Sequence, residues 1–206
     1  MQTFLPFPDY ARSAAVLDDS RLRKQCVEVG QILSAVNAIW VEDRETGWQN
    51  HPATRMWVHN GPALAKYGLA MCHEYWKRTN LIHRATLTIR KMYEEHCQIM
   101  GLTKPVFVAR PWWMGNVALH YSHQANLLRK DPARYGLPFA HVAACEYYWP
   151  SGETEGMLAI GQPSKGVRTS WTNHTAKVWL DDPEHKRLQW LIYNGASAFE
   201  RWRATP

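Results

Sequence analysis

The segment SRLRKQCVEVGQIL, residues 20–33, decides most of what this chain can become. At about 100° per residue, Leu22, Cys26, Val29, Leu33 and Val36 fall within roughly 80° of one another, a narrow apolar stripe that has to be buried. Arg21, Lys24, Glu28 and Gln31 form a second stripe away from it, at the spacing i, i+3, i+7, i+10. The segment predicts a helix with one face in a core and another that sets one carboxylate among positive charges. Little else in the chain alternates with a period of two over a useful length, so a mainly α fold is expected.

Punctuation divides the rest. Residues 1–11, with Pro6 and Pro8, are expected to be extended. The long first helix should begin at Arg12 or Asp19 and reach about Ala38. A loop should cover residues 42–57, marked by Gly47 and Pro52. A second helix should run from Pro62 to about Arg78, burying Leu64, Tyr67, Met71 and Tyr75, and a third from about Asn80 to Met100. The run KPVFVARPWW, broken by Pro105 and Pro111, reads as extended. A fourth helix should span Gly115–Arg129 and stop at KDPARYG. Residues 151–178 look irregular, and a last helix should start at the cap Asp182 with Pro183 in its first turn and run to about Arg203. The expected architecture is a compact single helical domain around a long N-terminal helix, residues 1–150, with a C-terminal extension, residues 151–206, of loop plus helix packed on it.

The 206 residues suffice for one domain with a proper core. A net charge of +6 is compatible with an anionic partner without requiring one. The 11 tryptophans exceed ordinary usage, and in a basic protein some become candidates to stack on bases. Cys26, Cys72, Cys97 and Cys145 form no CxxC pair, so no zinc pattern is visible and buried thiols in a reduced, cytoplasmic setting are expected. The N-terminus does not read as a signal peptide, no apolar run approaches a membrane span, and no repeat is present. The tail segment QPSKGVRTSWTNHT lacks the GxxxxGK[ST] phosphate loop. No cofactor and no metal are expected, and a monomer is.

Glu28 has two readings. In one it is half of a solvated i,i+4 pair with Lys24. In the other, a carboxylate ringed by bases stays ionised, the bases hold phosphates, and the acid stabilises a cationic centre on a nucleotide sugar. Other constellations are weighed in the same way. NHPATRMW brings His51, Arg55 and Trp57 to one turn, with Arg55 a candidate for a phosphate and His51 for a pocket wall. ARPWWMGN sets Arg110 beside Trp112 and Trp113, either core or a wall for a flipped base. His120 and His123 lie i,i+3 on a helix and suit hydrogen bonds to DNA or to the core better than a metal. RKDPARYG offers Arg129, Lys130 and Arg134, or merely a basic helix end.

Three blocks, DDSRLRKQCVEVGQILSAV, NHPATRMWVHNGPALAKYGLAMCHEYWKR and ALHYSHQANLLRKDPARYG, resemble in this order the endonuclease V-type pyrimidine-dimer DNA glycosylases, and together span residues 1 to about 150. The resemblance implies a helical base-excision enzyme acting on duplex DNA. In that family the α-amine of the chain terminus attacks the sugar C1′, expels the damaged base, and the Schiff base that forms nicks the strand by β-elimination. Glu28 falls on the family's catalytic glutamate, and Met1 would supply the amine. An ordinary α-amine titrates near ~7.8 against ~10.4 for lysine, so it is the better nucleophile at neutral pH. Arg21, Arg23 and Lys24 would hold phosphates. The family's arginines flanking its glutamate are replaced by Val27 and Gln31, and Arg21 stands where the family has a histidine, which touches dimer specificity more than DNA binding. The expected activity is a DNA glycosylase with abasic-site lyase activity. The alternatives are a transferase modifying a base within DNA and a non-catalytic binder of DNA or nucleotide.

Overall fold

The computed structural model describes residues 1–40, 42, 44–99 and 110–150. The expected tail over 151–206, with its helix from Asp182, lies outside the described residues, as does most of the extended run from Lys104. Among the described residues there are seven helices and no strand: α1 (Tyr10–Val16), α2 (Asp19–Trp40), α3 (Pro52–Trp57), α4 (Gly61–Thr79), α5 (Ala85–Ile99), α6 (Val117–Lys130) and α7 (Pro132–Tyr135). The mainly α expectation holds. None of these helices is long and apolar enough to cross a membrane.

The first helix divides in two. Asp9 caps α1 by accepting the Arg12 amide at 2.6 Å. At Leu17 the backbone turns extended, and Asp18 then accepts the Arg21 amide at 2.9 Å and starts α2. The carbonyls orphaned at the end of α1 are satisfied from another helix. The Arg78 guanidinium donates to Leu17 O at 2.8 Å, to Ala15 O at 2.9 Å and to Ala14 O at 3.3 Å, and pairs with Asp19 at 2.9 Å. One side chain of α4 thus fastens the joint between α1 and α2.

The apolar stripe of α2 is inside, as its spacing requires. Leu22, Cys26, Val29, Leu33 and Val36 are buried against Leu64, Tyr67 and Met71 of α4. Helix α4 also receives α1 and α5. It ends at Thr79 because Asn80 takes the left-handed conformation, φ 56°, with its amide on Trp76 O at 2.7 Å. Helix α5 therefore starts at Ala85 rather than Asn80, where His83 Nδ1 accepts the Ala85 amide at 3.2 Å. Short α3 occupies part of the expected loop, with His51 as its cap and Pro52 in its first turn. Helix α6 begins at Val117, two residues later than expected, because Asn116 accepts the Ala118 and Leu119 amides. The segment beyond α7 returns along α6, where Tyr148 N–H reaches Ser122 Oγ at 3.0 Å and Asn126 holds Cys145 O at 3.2 Å.

The approach of α2 to α4 is close enough to require glycine. A Cβ at Gly68 would stand 2.4 Å from Val29 Cγ1 and 3.1 Å from Val29 Cβ, and a β-branched side chain on a packed helix has no rotamer to retreat to. Gly68→Ala should gain about 1 kcal/mol of helix propensity and lose about 1–3 kcal/mol to overpacking. The expected net result in urea unfolding is a lower midpoint, and a higher one would mean that the two helices can part without penalty.

Candidate active site

Residues 3–6 are buried and Met1 and Gln2 half-buried, in a segment that belongs to no helix, so its backbone groups need partners, and the partners come from two sides. On the α2 side stands Gln25, fully buried. Its Oε1 accepts the Phe4 N–H at 3.0 Å and faces the Tyr67 hydroxyl at 2.7 Å, whose single proton is shared with Phe4 O at 2.9 Å. Its Nε2 donates to Gln2 O at 3.0 Å and to Glu28 Oε2 at 2.9 Å. Every lone pair and proton of the amide is used, which fixes which end is oxygen. On the α6 side, His123 Nδ1 accepts the Leu5 N–H at 3.1 Å, His120 Nδ1 donates to Leu5 O at 2.7 Å, and Gln124 donates to Pro6 O at 2.7 Å. Gly115 N–H donates to His120 Nε2 at 3.0 Å, so the His120 proton sits on Nδ1. Trp57 Nε1 adds a bond to Thr3 Oγ1 at 3.1 Å.

These clamps deliver the chain terminus to the acid. The Met1 α-ammonium lies 4.0 Å from Glu28 Oε1, and Lys24 Nζ lies 3.7 Å from the same oxygen. Glu28 is only 8% exposed, whereas the Lys24 side chain is largely in solvent. The solvated pair with Lys24 therefore exists, but it is half of a three-membered arrangement whose other cation is the α-amine. His51 is drawn in as well: burial and the neighbouring α-ammonium together push its imidazole down to about 4. It is neutral at ordinary pH, and its Nδ1 accepts the Ala53 amide at 3.1 Å.

Further cations stand close to one another nearby. Burial, then repulsion from Arg129, Arg21 and Lys24, lowers the Lys130 ammonium, with Glu28 opposing. Arg21 is positioned by acids. It donates to Asp18, pairs with Asp131 at 3.7 Å and lies over the Tyr135 ring at 5.5 Å. Burial alone would raise the Asp18 carboxyl, but hydrogen bonds from Tyr135 and Arg21 and the positive charge of Arg21 hold it at about 2. Arg129 is tethered to Asn126 at 2.6 Å and to Glu146 at 3.7 Å. Several cations with one buried anion among them suit a ligand that brings several negative charges and develops one positive centre.

The other candidates fall elsewhere. Arg23 lines, with Lys24, Val27, Tyr75 and Arg78, a neighbouring open cleft of about 630 Å³. Arg55 is exposed on α3 and reaches Asn50 at 3.4 Å, Arg134 is exposed on α7, and Arg110 is exposed at the start of the WW segment. His120 and His123 serve the core, not a surface: both are buried beneath the segment they hold. Trp57 and Trp113 are corrected in the same sense. Both are fully buried, packed edge to face at 4.7 Å, with Trp113 Nε1 on Met56 O at 3.2 Å, so neither ring is presented to a base. Trp112 stays partly exposed. Gln25, Asp18 and Arg78 were not anticipated. The signal for Gln25 was present: it sits three residues before Glu28 at the edge of the apolar stripe, where a polar side chain must find partners inside.

Residues 1–88 match the family model described as pyrimidine dimer DNA glycosylase. This bears out the resemblance over the segment that holds Met1, Lys24, Gln25, Glu28 and Tyr67, while the third resembling block lies beyond the matched residues. No curated protein and no solved structure matches the chain.

Two measurements check this geometry. Burial, with the charge of His120 acting on His123, lowers His120 to about 4 and His123 to about 3, both below the ordinary 6.5. Below pH 6.5 the unfolded chain takes up these protons and the folded one does not. Stability should then be full above pH 6.5 and fall toward pH 4, by at most about 1.4 kcal/mol per pH unit for each buried histidine. His123→Asn keeps an acceptor for Leu5 N–H and removes one titrating group, so its urea midpoint should depend less steeply on pH in that window. Gln25→Ala should lose about 1–3 kcal/mol, because the Phe4 N–H loses its acceptor in a dry site. An unaltered urea midpoint for Gln25→Ala would show that the segment is held from the α6 side alone.

Proposed function

We propose that this chain is a DNA repair glycosylase that excises a damaged base through a Schiff base on the Met1 α-amine and then nicks the strand at the abasic site. One observation carries the reading: the α-amine is held 4.0 Å from a buried carboxylate by an N-terminal segment clamped on both sides. In its neutral form the amine attacks C1′ of the deoxyribose. The C1′–N bond to the base breaks, its electron pair leaves with the base, and the base takes up a proton. Ring opening gives an iminium at C1′, whose positive charge falls beside the Glu28 carboxylate. Loss of a C2′ proton and rupture of the C3′–O bond then cut the strand. The cations at Arg21, Lys24, Arg129 and Lys130 hold phosphates, and the sugar becomes reachable when the target nucleotide leaves the stack.

The acid and the bases have separable tasks, and that separation is the test. Borohydride reduction during incubation with abasic-site duplex should cross-link the DNA to the peptide beginning at Met1, identified by mass spectrometry. Adducts on lysine alone, or none, would sink the mechanism. Glu28→Gln should abolish base release while leaving DNA affinity within a few-fold, since loss of an anion does not weaken phosphate binding. If activity of Glu28→Gln merely tracks its folded fraction, the residue is a structural partner of Lys24 and Gln25.

A further inference from the structure

Away from the amine, the core contains a cluster that this activity does not use. Cys26 of α2, Cys72 of α4 and His83 of the segment before α5 converge, with their sulfur and imidazole nitrogen atoms all within 4.8 Å of one another. All three are buried. Cysteines are otherwise easily accommodated as small apolar residues, but two of them with an imidazole, from three separate elements, form a donor set of the kind that binds a soft or borderline metal.

We propose that Cys26, Cys72 and His83 form a structural zinc site that pins α2, α4 and the start of α5 together. Metal–sulfur bonds of about 2.3 Å and metal–nitrogen bonds of about 2.0 Å place tetrahedral donors roughly 3.5–3.8 Å apart, so donors within 4.8 Å of one another have to close by at most about 1.3 Å. Charge favours a divalent over a monovalent ion, and a donor set of two sulfurs and an imidazole suits zinc. Two thiolates and one Zn²⁺ sum to zero, whereas a monovalent ion would leave a net negative charge in a dry core. Binding releases the two thiol protons to solvent. The fourth tetrahedral position falls to water or to the Thr86 hydroxyl. The Ala85 N–H to His83 Nδ1 bond, 3.2 Å long, is given up whichever nitrogen coordinates. If Nδ1 binds the metal its lone pair is spent, and if Nε2 binds, Nδ1 carries the proton. Cys26 stands two residues before Glu28, so the metal would set the rotation of α2 at the height of the carboxylate without touching it.

The test uses the full chain, expressed with zinc and purified under reductant, and does not depend on glycosylase activity. Elemental analysis should find one zinc per chain. Cobalt(II) added to the zinc-free protein should give thiolate-to-metal charge-transfer absorption, and the Ala85 amide signal should shift on zinc addition. Cys72→Ala and His83→Gln should each weaken zinc binding by at least about tenfold and remove the rise in melting temperature that zinc gives the natural chain. Natural-sequence protein that is folded and reduced yet takes up no zinc overturns the site, a result that needs no variant to fold. So does a cobalt spectrum unchanged by Cys72→Ala.

Discussion

Everything at the proposed reaction centre depends on one saturated amide. Gln25 bonds at once to the segment it positions, through Phe4 N–H and Gln2 O, and to the acid that the segment approaches, through Glu28 Oε2. A side chain with four partners has no alternative rotamer of equal energy, so amine and carboxylate are registered by the same group. The fit is stricter than a salt bridge would make it. At 4.0 Å the ion pair itself is a weak constraint, and the geometry comes from neutral hydrogen bonds around it.

The same division between neutral scaffold and charged surface recurs across the site. Beneath the N-terminal segment, His120 and His123 are held neutral by burial and act as a fixed donor and a fixed acceptor. Above it, Arg21 is aimed by Asp18, Asp131 and the Tyr135 ring, and Lys130 is crowded by like charges. Crowded cations repel one another in the free protein and would be relieved by a polyanion.

Helix phase was legible in the sequence. The stripe from Leu22 to Val36 has one solution at helical period, but it set Glu28 on the face away from the core, and the burial of its carboxylate was not legible. Pro62 and the KDP stop located α4 and the end of α6 to within a residue. What failed was short-range chemistry that only tertiary partners reveal. The break at Leu17 rests on Arg78, some sixty residues away, and α3 is too short to show a period. The histidines at 120 and 123 carried a pattern compatible with a surface, and only the segment lying over them explains their burial. Tryptophan abundance was misleading for a simpler reason: large rings fill cores, and Trp57 and Trp113 fill this one.

The segment that carries the amine is closed over by partners 115 and 118 positions further along the chain, at His120, His123 and Gln124. Contacts of such separation are the slowest to form, because the whole intervening loop must be restricted before they bring any gain. Leu5 and Pro6 therefore reach their final partners only once α6 is in place. A half-folded chain would carry the basic face of α2 before the segment that seats the α-amine beside Glu28 is fixed.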